Sequence, residues 1–374
     1  MNSIIRAGLY IHFPFCRSKC SYCHFYSVPY ERPLFERFGR ALAKEALRSA
    51  RNDIRVDTLY IGGGTPSLLG PEDISRIVET AKLFFRLELT EFTLEANPDV
   101  RDEAFLRGWK EAGVNRLSVG VQSFDDRVLR ILGRGYTARQ AEEFLELARK
   151  AGFRTVSLDL MIGVPTEKRT SLRKSLRRVR ELGPEHVSLY ILENFEGLPF
   201  ESFVRRHPMD EDAAADAYEL MRDGLEEAGL RRYEISNFAR EGGECLHNLK
   251  YWRYEPFLGL GPSACSHLGI RRWCNKPDLE AWTLALAEGG DCREEVRLLL
   301  PEESAREALI FGLRLVRGIS LGEFKKRFDL NVLERFGNEI HDLAEEGLIL
   351  IEGDVLRIPE DKLLVSNRVF NRFV

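Results

Sequence analysis

Along the first two thirds of the chain, short apolar runs rich in β-branched and aromatic residues alternate with longer stretches whose apolar positions recur at helical spacing. The runs are GLYIHF, VDTLYIGG, EFTLEANP, RLSVGVQS, TVSLDLMIG, HVSLYILE and RYEISNF. Between them, helical patterns cover Leu34 to Arg51, Pro71 to Phe85, Asp102 to Glu111, Ala138 to Ala151, Ser171 to Glu181 and Asp210 to Glu227. Strand followed by helix, repeated this often, predicts parallel βα units closing toward a barrel rather than an open doubly wound sheet. The expected fold is α/β, a partial (βα) TIM-type barrel of about six parallel strands. Gly135 and Gly163 read first as turn positions.

The pattern then changes to closely spaced helices, Glu302 to Arg314, Leu321 to Phe328 and Asn331 to Glu346, followed by LILIEGDVLRIP. Two apolar runs across a Gly353-Asp354 turn predict a β-hairpin, and helices plus a terminal hairpin predict a winged-helix-like α+β domain. The expected division is 1–235 for the barrel with its N-terminal loop, 236–298 for an extension carrying HNLKYW, and 299–374 for the small domain.

Composition narrows the function. With 374 residues and 44% hydrophobic content the chain is long enough for a large core and a smaller appendage. Its 55 basic against 59 acidic residues leave no electrostatic footprint of a nucleic-acid binder. MNSIIRAGLYIHFPF carries one positive charge and meets a cysteine before any small-residue cleavage site, so it does not read as a signal peptide. No apolar run reaches the roughly 20 residues of a membrane span, and a soluble cytoplasmic protein is expected.

Cysteine placement carries the chemistry. Three of the seven cysteines crowd into C-R-S-K-C-S-Y-C, Cys16, Cys20 and Cys23, directly after the first predicted strand. That is poor geometry for a disulfide framework and good geometry for one metal centre in a reducing compartment. Three thiolates satisfy three irons of a [4Fe-4S] cubane and leave the fourth open to another ligand. The alternative is a zinc-stabilised binding protein, with the shell completed by His12 or His24. Cys245, Cys265, Cys274 and Cys292 are spread without ligand spacing and read as ordinary buried thiols.

The C-x3-C-x2-C loop after YIHFPFC resembles the signature of the radical S-adenosylmethionine (SAM) superfamily. There the open iron binds SAM and the cluster passes an electron to its sulfonium. The resemblance implies cofactor contacts from Tyr22 beside the last cysteine, from Gly63, Gly64 and Thr65 of GGGTP, and from Glu95, Gln122 and Asp159 on later strands; by their own chemistry Arg134 is a candidate partner for the cofactor carboxylate and Tyr10 a candidate hydroxyl near the cluster. The residues also carry plainer readings: a loop-anchoring aromatic for Tyr22, a tight turn for GGGTP, a structural ion pair for Arg134, a core aromatic for Tyr10 and a turn former for Asn97. Glu95 and Asp159 favour function, because a carboxylate inside an apolar strand costs several kcal/mol unless paired or ligand-bound.

Nearly end to end, through LEANPD, NRLSVGVQSF, DLMIGVP, YEISNFA and VSNRVF, the chain resembles the coproporphyrinogen III dehydrogenase (HemN) group. Phe25 stands where the dehydrogenases carry a further cysteine, and HNLKYW matches the HNxxYW heme-binding motif of the heme-chaperone branch, HemW. The resemblance then implies heme contacts from His247, Asn248, Tyr251 and Trp252, and three cofactors or ligands: a [4Fe-4S] cluster, SAM and heme. It further implies transfer of heme to an acceptor protein, such as a membrane-associated respiratory protein, and an electron donor such as flavodoxin or ferredoxin. A chaperone is favoured over the alternative enzyme, an oxygen-independent coproporphyrinogen III dehydrogenase. Taken alone, His247 reads as a satisfied structural histidine. His24, Tyr136 and Cys265 depart from the family pattern, where aspartate, histidine and histidine are usual.

Overall fold

The computed structural model describes residues 4–98 and 102–374; Asp99 of LEANPD lies outside the described residues. Strands β1 (Ile5–Phe13), β2 (Ile54–Gly63), β3 (Arg86–Ala96), β4 (Arg116–Gln122), β5 (Thr155–Ile162) and β6 (His186–Ile191) are neighbours in chain order and parallel throughout. Between them run α1 (Arg32–Ser49), α2 (Pro71–Phe84), α3 (Glu103–Glu111), α4 (Ala138–Lys150) and α5 (Arg169–Leu182), with α6 (Glu211–Glu227) following β6. The helices start where the sequence supplies caps. Asp102 accepts from the Phe105 amide at 2.7 Å, Thr137 and Gln140 form a reciprocal capping box, and Asp210 accepts from the Ala213 amide.

Each strand alternates. Leu94, Val119, Leu158 and Leu189 face the helices and are fully buried in one continuous core, whereas Thr93, Glu95, Ser118, Ser157, Asp159 and Ser188 turn into the barrel. The interior is therefore polar, and a small cavity of about 50 Å³ at its centre is lined almost wholly by hydroxyls, carboxylates and Arg116.

The barrel stays open. In a 12-stranded sheet, β1 gains an outer parallel neighbour from late in the chain, β9 (Phe257–Leu260), with Gly8 opposite Phe257 and Ile11 opposite Leu260. RYEISNF does not supply another parallel strand. It forms the antiparallel pair β7 (Arg231–Arg232) and β8 (Asn237–Ala239) on the far edge, because its short reversal is a hairpin and a parallel return needs a crossover of about a dozen residues.

Beyond β9, the strands β10 (Cys265–Leu268), β11 (Arg271–Asn275) and β12 (Arg293–Leu298) extend the sheet antiparallel. Cys245 and Cys292 are buried thiols as expected. Cys265 and Cys274 are not: they face each other across β10 and β11, 4.0 Å apart at Cα, and are joined as a disulfide, with Cys265 exposed. Cross-strand register, invisible in linear spacing, creates that pair.

HNLKYW forms a short helix, α7 (Leu246–Trp252), and α8 (Leu279–Glu288) packs on α1. The C-terminal unit has its own core, built from α9 (Pro301–Gly312), β13 (Ile319–Ser320), α10 (Leu321–Phe328), α11 (Gly337–Glu345) and the hairpin β14 (Leu350–Glu352) with β15 (Val355–Arg357). The helix expected over Asn331 to Glu346 breaks at Phe336 into two pieces, and Tyr254 from the extension joins this second core. Among the described residues no helix is long and apolar enough to cross a membrane.

Candidate cluster and cofactor site

At the carboxyl ends of β1 to β6, where reactive groups gather in βα barrels, a cavity of about 420 Å³ opens. Cys16, Cys20, Cys23, Tyr22, Gly63, Gly64, Thr65, Glu95, Gln122, Arg134 and Asp159 all line it. Of the expected cluster and cofactor residues, only Tyr10 lies elsewhere, beneath the mouth, its hydroxyl donating to His12 Nδ1 at 3.0 Å. The cysteine loop is held by a turn from the Cys23 amide to the Cys20 carbonyl and by the Phe200 amide on the Ser21 carbonyl. Thr65 donates to Cys16 Sγ and Arg134 to Cys20 Sγ, each at 3.4 Å, so two of the three sulfurs already face a donor.

GGGTP is more than a turn. Gly63 sits at φ +114°, and a Cβ there would lie 2.6 Å from the His12 ring; at Gly64 one would meet the Phe15 carbonyl oxygen at 2.5 Å. Only glycine lets β2 end this close to the cysteine loop. Gln122, closing β4 at φ 63°, also holds left-handed backbone, a conformation whose cost of about 1–3 kcal/mol is characteristic of functional sites.

The mouth is built for a cation. Glu95 accepts from the Tyr60 hydroxyl at 2.9 Å and the Gly63 amide at 3.0 Å, and burial pushes its pKa up to about 7, against those two bonds. Asp159 accepts from the Ser118 hydroxyl at 3.1 Å, and burial raises it to about 6. Among the described residues neither carboxylate forms an ion pair, although Arg116 and Arg134 lie near enough to Asp159 to oppose part of the rise. Burial opposes the charge on Arg134, yet Tyr136, Tyr22, Cys20 and Cys23 around it hold its pKa above the ordinary value. Its Nη1 donates to Asn97 at 3.3 Å, its guanidinium carbon lies 5.8 Å from the centre of the Tyr22 ring, and its Nε is buried with no hydrogen-bond partner among the described residues. Asn97 thus belongs to the mouth rather than to a turn alone.

These residues fit SAM: two buried carboxylates for its ammonium and sulfonium, an orphaned guanidinium N–H for its carboxylate, Tyr22 for a flat base. They fit a zinc shell poorly. His12 spends Nε2 on the Tyr26 carbonyl and Nδ1 on Tyr10, while the His24 ring stacks between Phe25 and Phe195 at 4.5 and 4.3 Å. Among the described residues no three His, Cys, Asp or Glu side chains converge as ligands of one ion would; a cubane distributes its thiolates over separate irons.

The HNLKYW residues are somewhere else. His247 is 1% exposed, its Nδ1 2.9 Å from Thr58 Oγ1 and its Nε2 2.9 Å from the Tyr251 hydroxyl. Burial, then Lys250, pushes its pKa down to about 3. Glu91 caps the start of α7 by accepting from the Leu246 and His247 amides. An imidazole open to a porphyrin is therefore not what this fold presents: both ring nitrogens are spent inside the barrel wall. Asn248 lines the small central cavity, and Trp252 lies at the other end of α7.

Sequence reasoning missed Tyr60, Ser118 and Tyr190, all of which face the mouth or the cavity below it. The signal was present as polar residues on one face of runs read as plainly apolar, such as Ser118 and Gln122, four apart in the same strand.

Residues 10–179 match the family model described as the Radical SAM superfamily, and residues 299–361 match the HemN C-terminal domain. The chain is 33% identical over 372 residues to the heme chaperone HemW of Bacillus subtilis (strain 168), covering 98% of each protein. It is 32% identical over 392 residues to mitochondrial radical S-adenosyl methionine domain-containing protein 1 of Bos taurus, covering 96% of this chain and 85% of that protein. Among solved structures it is similar to coproporphyrinogen III oxidase (HemN) from Escherichia coli, with a TM-score of 0.85 at 23% identity over 99% of this chain and 90% of that one.

Proposed function

This chain belongs to the HemW family of the radical SAM superfamily, and we propose that it binds a [4Fe-4S] cluster, SAM and heme, and hands the heme to an acceptor protein in the cytoplasm. The observation that carries the cofactor half is the pair of buried carboxylates Glu95 and Asp159, neither in an ion pair among the described residues, in a cavity whose rim is Cys16, Cys20 and Cys23. In this reading Cys16, Cys20 and Cys23 would hold the cluster, which when bound and reduced by a donor such as flavodoxin or ferredoxin would supply an electron to the sulfonium of SAM.

The protein's own groups do the positioning. Thr65 donates to Cys16 Sγ and Arg134 to Cys20 Sγ, which fixes where these two sulfurs point. Glu95, fixed by Tyr60 and Gly63, takes the ammonium. Gly63 and Gly64 let backbone approach closely. The heme half of the reading is supported by HNLKYW and by the name carried by the relatives, one of which spans the whole chain.

The alternative, a coproporphyrinogen III dehydrogenase, is disfavoured by Phe25. That residue is 56% exposed at the rim where the dehydrogenase group has a further cysteine. Anaerobic reconstitution followed by separate titrations with heme and coproporphyrinogen III tests both. Heme binding with no protoporphyrinogen formed is the expected result; turnover of coproporphyrinogen III would reverse the assignment. About four irons and four sulfides per chain are expected, and one zinc ion in their place would remove the cluster.

A further inference from the structure

With both nitrogens of His247 occupied, the porphyrin needs another home. A second cavity, of about 490 Å³, lies where the end of α7 meets α9, β13 and α10 of the C-terminal unit. Its apolar surface comes from Trp252, Phe324 and Phe328, the two phenyl rings 4.6 Å apart. Its charged rim is Arg253, Arg317 and Arg327.

These guanidiniums are not spent on carboxylates. Arg327 donates to the backbone carbonyls of Arg253 (2.6 Å) and Tyr254, while Arg253 and Arg317 form no ion pair within 4.0 Å among the described residues. Of the acids on the same rim, Glu255 is taken by Lys250 at 3.3 Å, which leaves Glu323 against three guanidiniums. Burial, then the neighbouring Arg253, lower the Arg317 pKa, and the nearby Glu323 and Glu255 offset this only in part. The Trp252 indole N–H, on the same wall, is buried with no hydrogen-bond partner. An apolar wall, with Arg314 over the Trp252 ring at 4.4 Å and guanidiniums in excess over carboxylates at its edge, is complementary to an apolar body bearing carboxylates.

We propose that this groove is the heme site: the macrocycle lies against Trp252, Phe324 and Phe328, and the two propionates pair with Arg253 and Arg317. This rests on the heme-chaperone reading above. It reassigns HNLKYW by division of labour. His247 anchors α7 in the barrel wall through Thr58, and Trp252 at the other end of the same helix meets the porphyrin.

The test is a heme titration, followed in the Soret band, of the anaerobically reconstituted full chain and of the double variant Arg253→Ala with Arg317→Ala. Heme dimethyl ester, which lacks the propionate charges, serves as a second probe. Expected results are at least a tenfold weaker heme affinity in the double variant, a similar loss when wild type is offered the ester, and no discrimination between the two probes by the variant. Iron content and SAM binding of the variant stay at wild-type levels, which shows that it is folded. Heme binding insensitive to both changes would overturn the proposal and leave the groove to an acidic segment of a partner protein. Failure of the wild type to bind heme would instead remove the chaperone reading on which the proposal rests.

Discussion

The barrel mouth and the groove beside α7 have similar volumes and opposite electrostatic character. At the mouth, two buried carboxylates with no ion pair among the described residues stand beside the thiols and Arg134; at the groove, Arg253 and Arg317 form no ion pair among the described residues and share the rim with Glu323. Each is unfavourable by itself, since a desolvated charge without a partner costs free energy. Each is also complementary to a ligand of the other sign, the mouth to a sulfonium ammonium compound and the groove to a dicarboxylate. The contrast teaches that one chain holds two separate sites rather than one extended pocket, and it predicts that they fail independently.

The most severe test is at the mouth. Replacing Cys16, Cys20 or Cys23 by Ala is expected to abolish the brown cluster absorption and drop iron from about four per chain to near zero. Heme affinity at the groove is expected to persist. Loss of both together, in a variant whose circular dichroism is unchanged, would mean that the two regions are not independent. Next in size is His247→Ala, which leaves the Thr58 and Tyr251 hydroxyls unpaired beside a new cavity. A loss of about 3 kcal/mol is expected in urea unfolding. A ligand to heme iron would show instead as a shifted Soret band at nearly unchanged stability, and that pattern would return His247 to the heme.

How legible the two regions are in the sequence differs for a physical reason. Every mouth residue sits on a strand or in the loop that follows it, so chain order and barrel order coincide. Cys16, Glu95 and Gln122 could be found as polar residues at successive strand ends, Gly63 as part of the glycine run after β2, and Asp159 as a polar interruption within β5. The groove joins Trp252 and Arg253 to Arg317 and Phe324, which no local spacing connects. For the same reason β9, which closes onto β1 from late in the chain, was missed; the Cys265–Cys274 pair is local, nine residues apart, and depends on the register of one hairpin. His247 was found, but its partner Thr58 lies on β2, and only the fold reveals that the imidazole is already satisfied.

The smallest and most diagnostic effect is the pH response of the mouth. Glu95 has its folded pKa raised from 4.5 to about 7, chiefly by burial, so the protonated form is favoured in the ligand-free protein. Between those values the folded state holds a proton that the unfolded chain releases, and stability falls as pH rises. SAM binding runs the other way: its ammonium requires the carboxylate, so affinity is expected to increase as pH climbs through about 7 and to level above it. Asp159, raised to about 6, contributes in the same direction but at lower pH, with the Ser118 hydroxyl softening its effect. Glu95→Gln removes the charge while keeping an acceptor for the Tyr60 hydroxyl. It is expected to weaken SAM by roughly tenfold above pH 7, corresponding to one charge-assisted hydrogen bond, and to flatten the profile. Heme affinity should not change with it. If calorimetry finds the wild-type SAM affinity independent of pH from 5 to 8, Glu95 does not face the ammonium, and the electrostatic contrast between the two regions loses its acidic half.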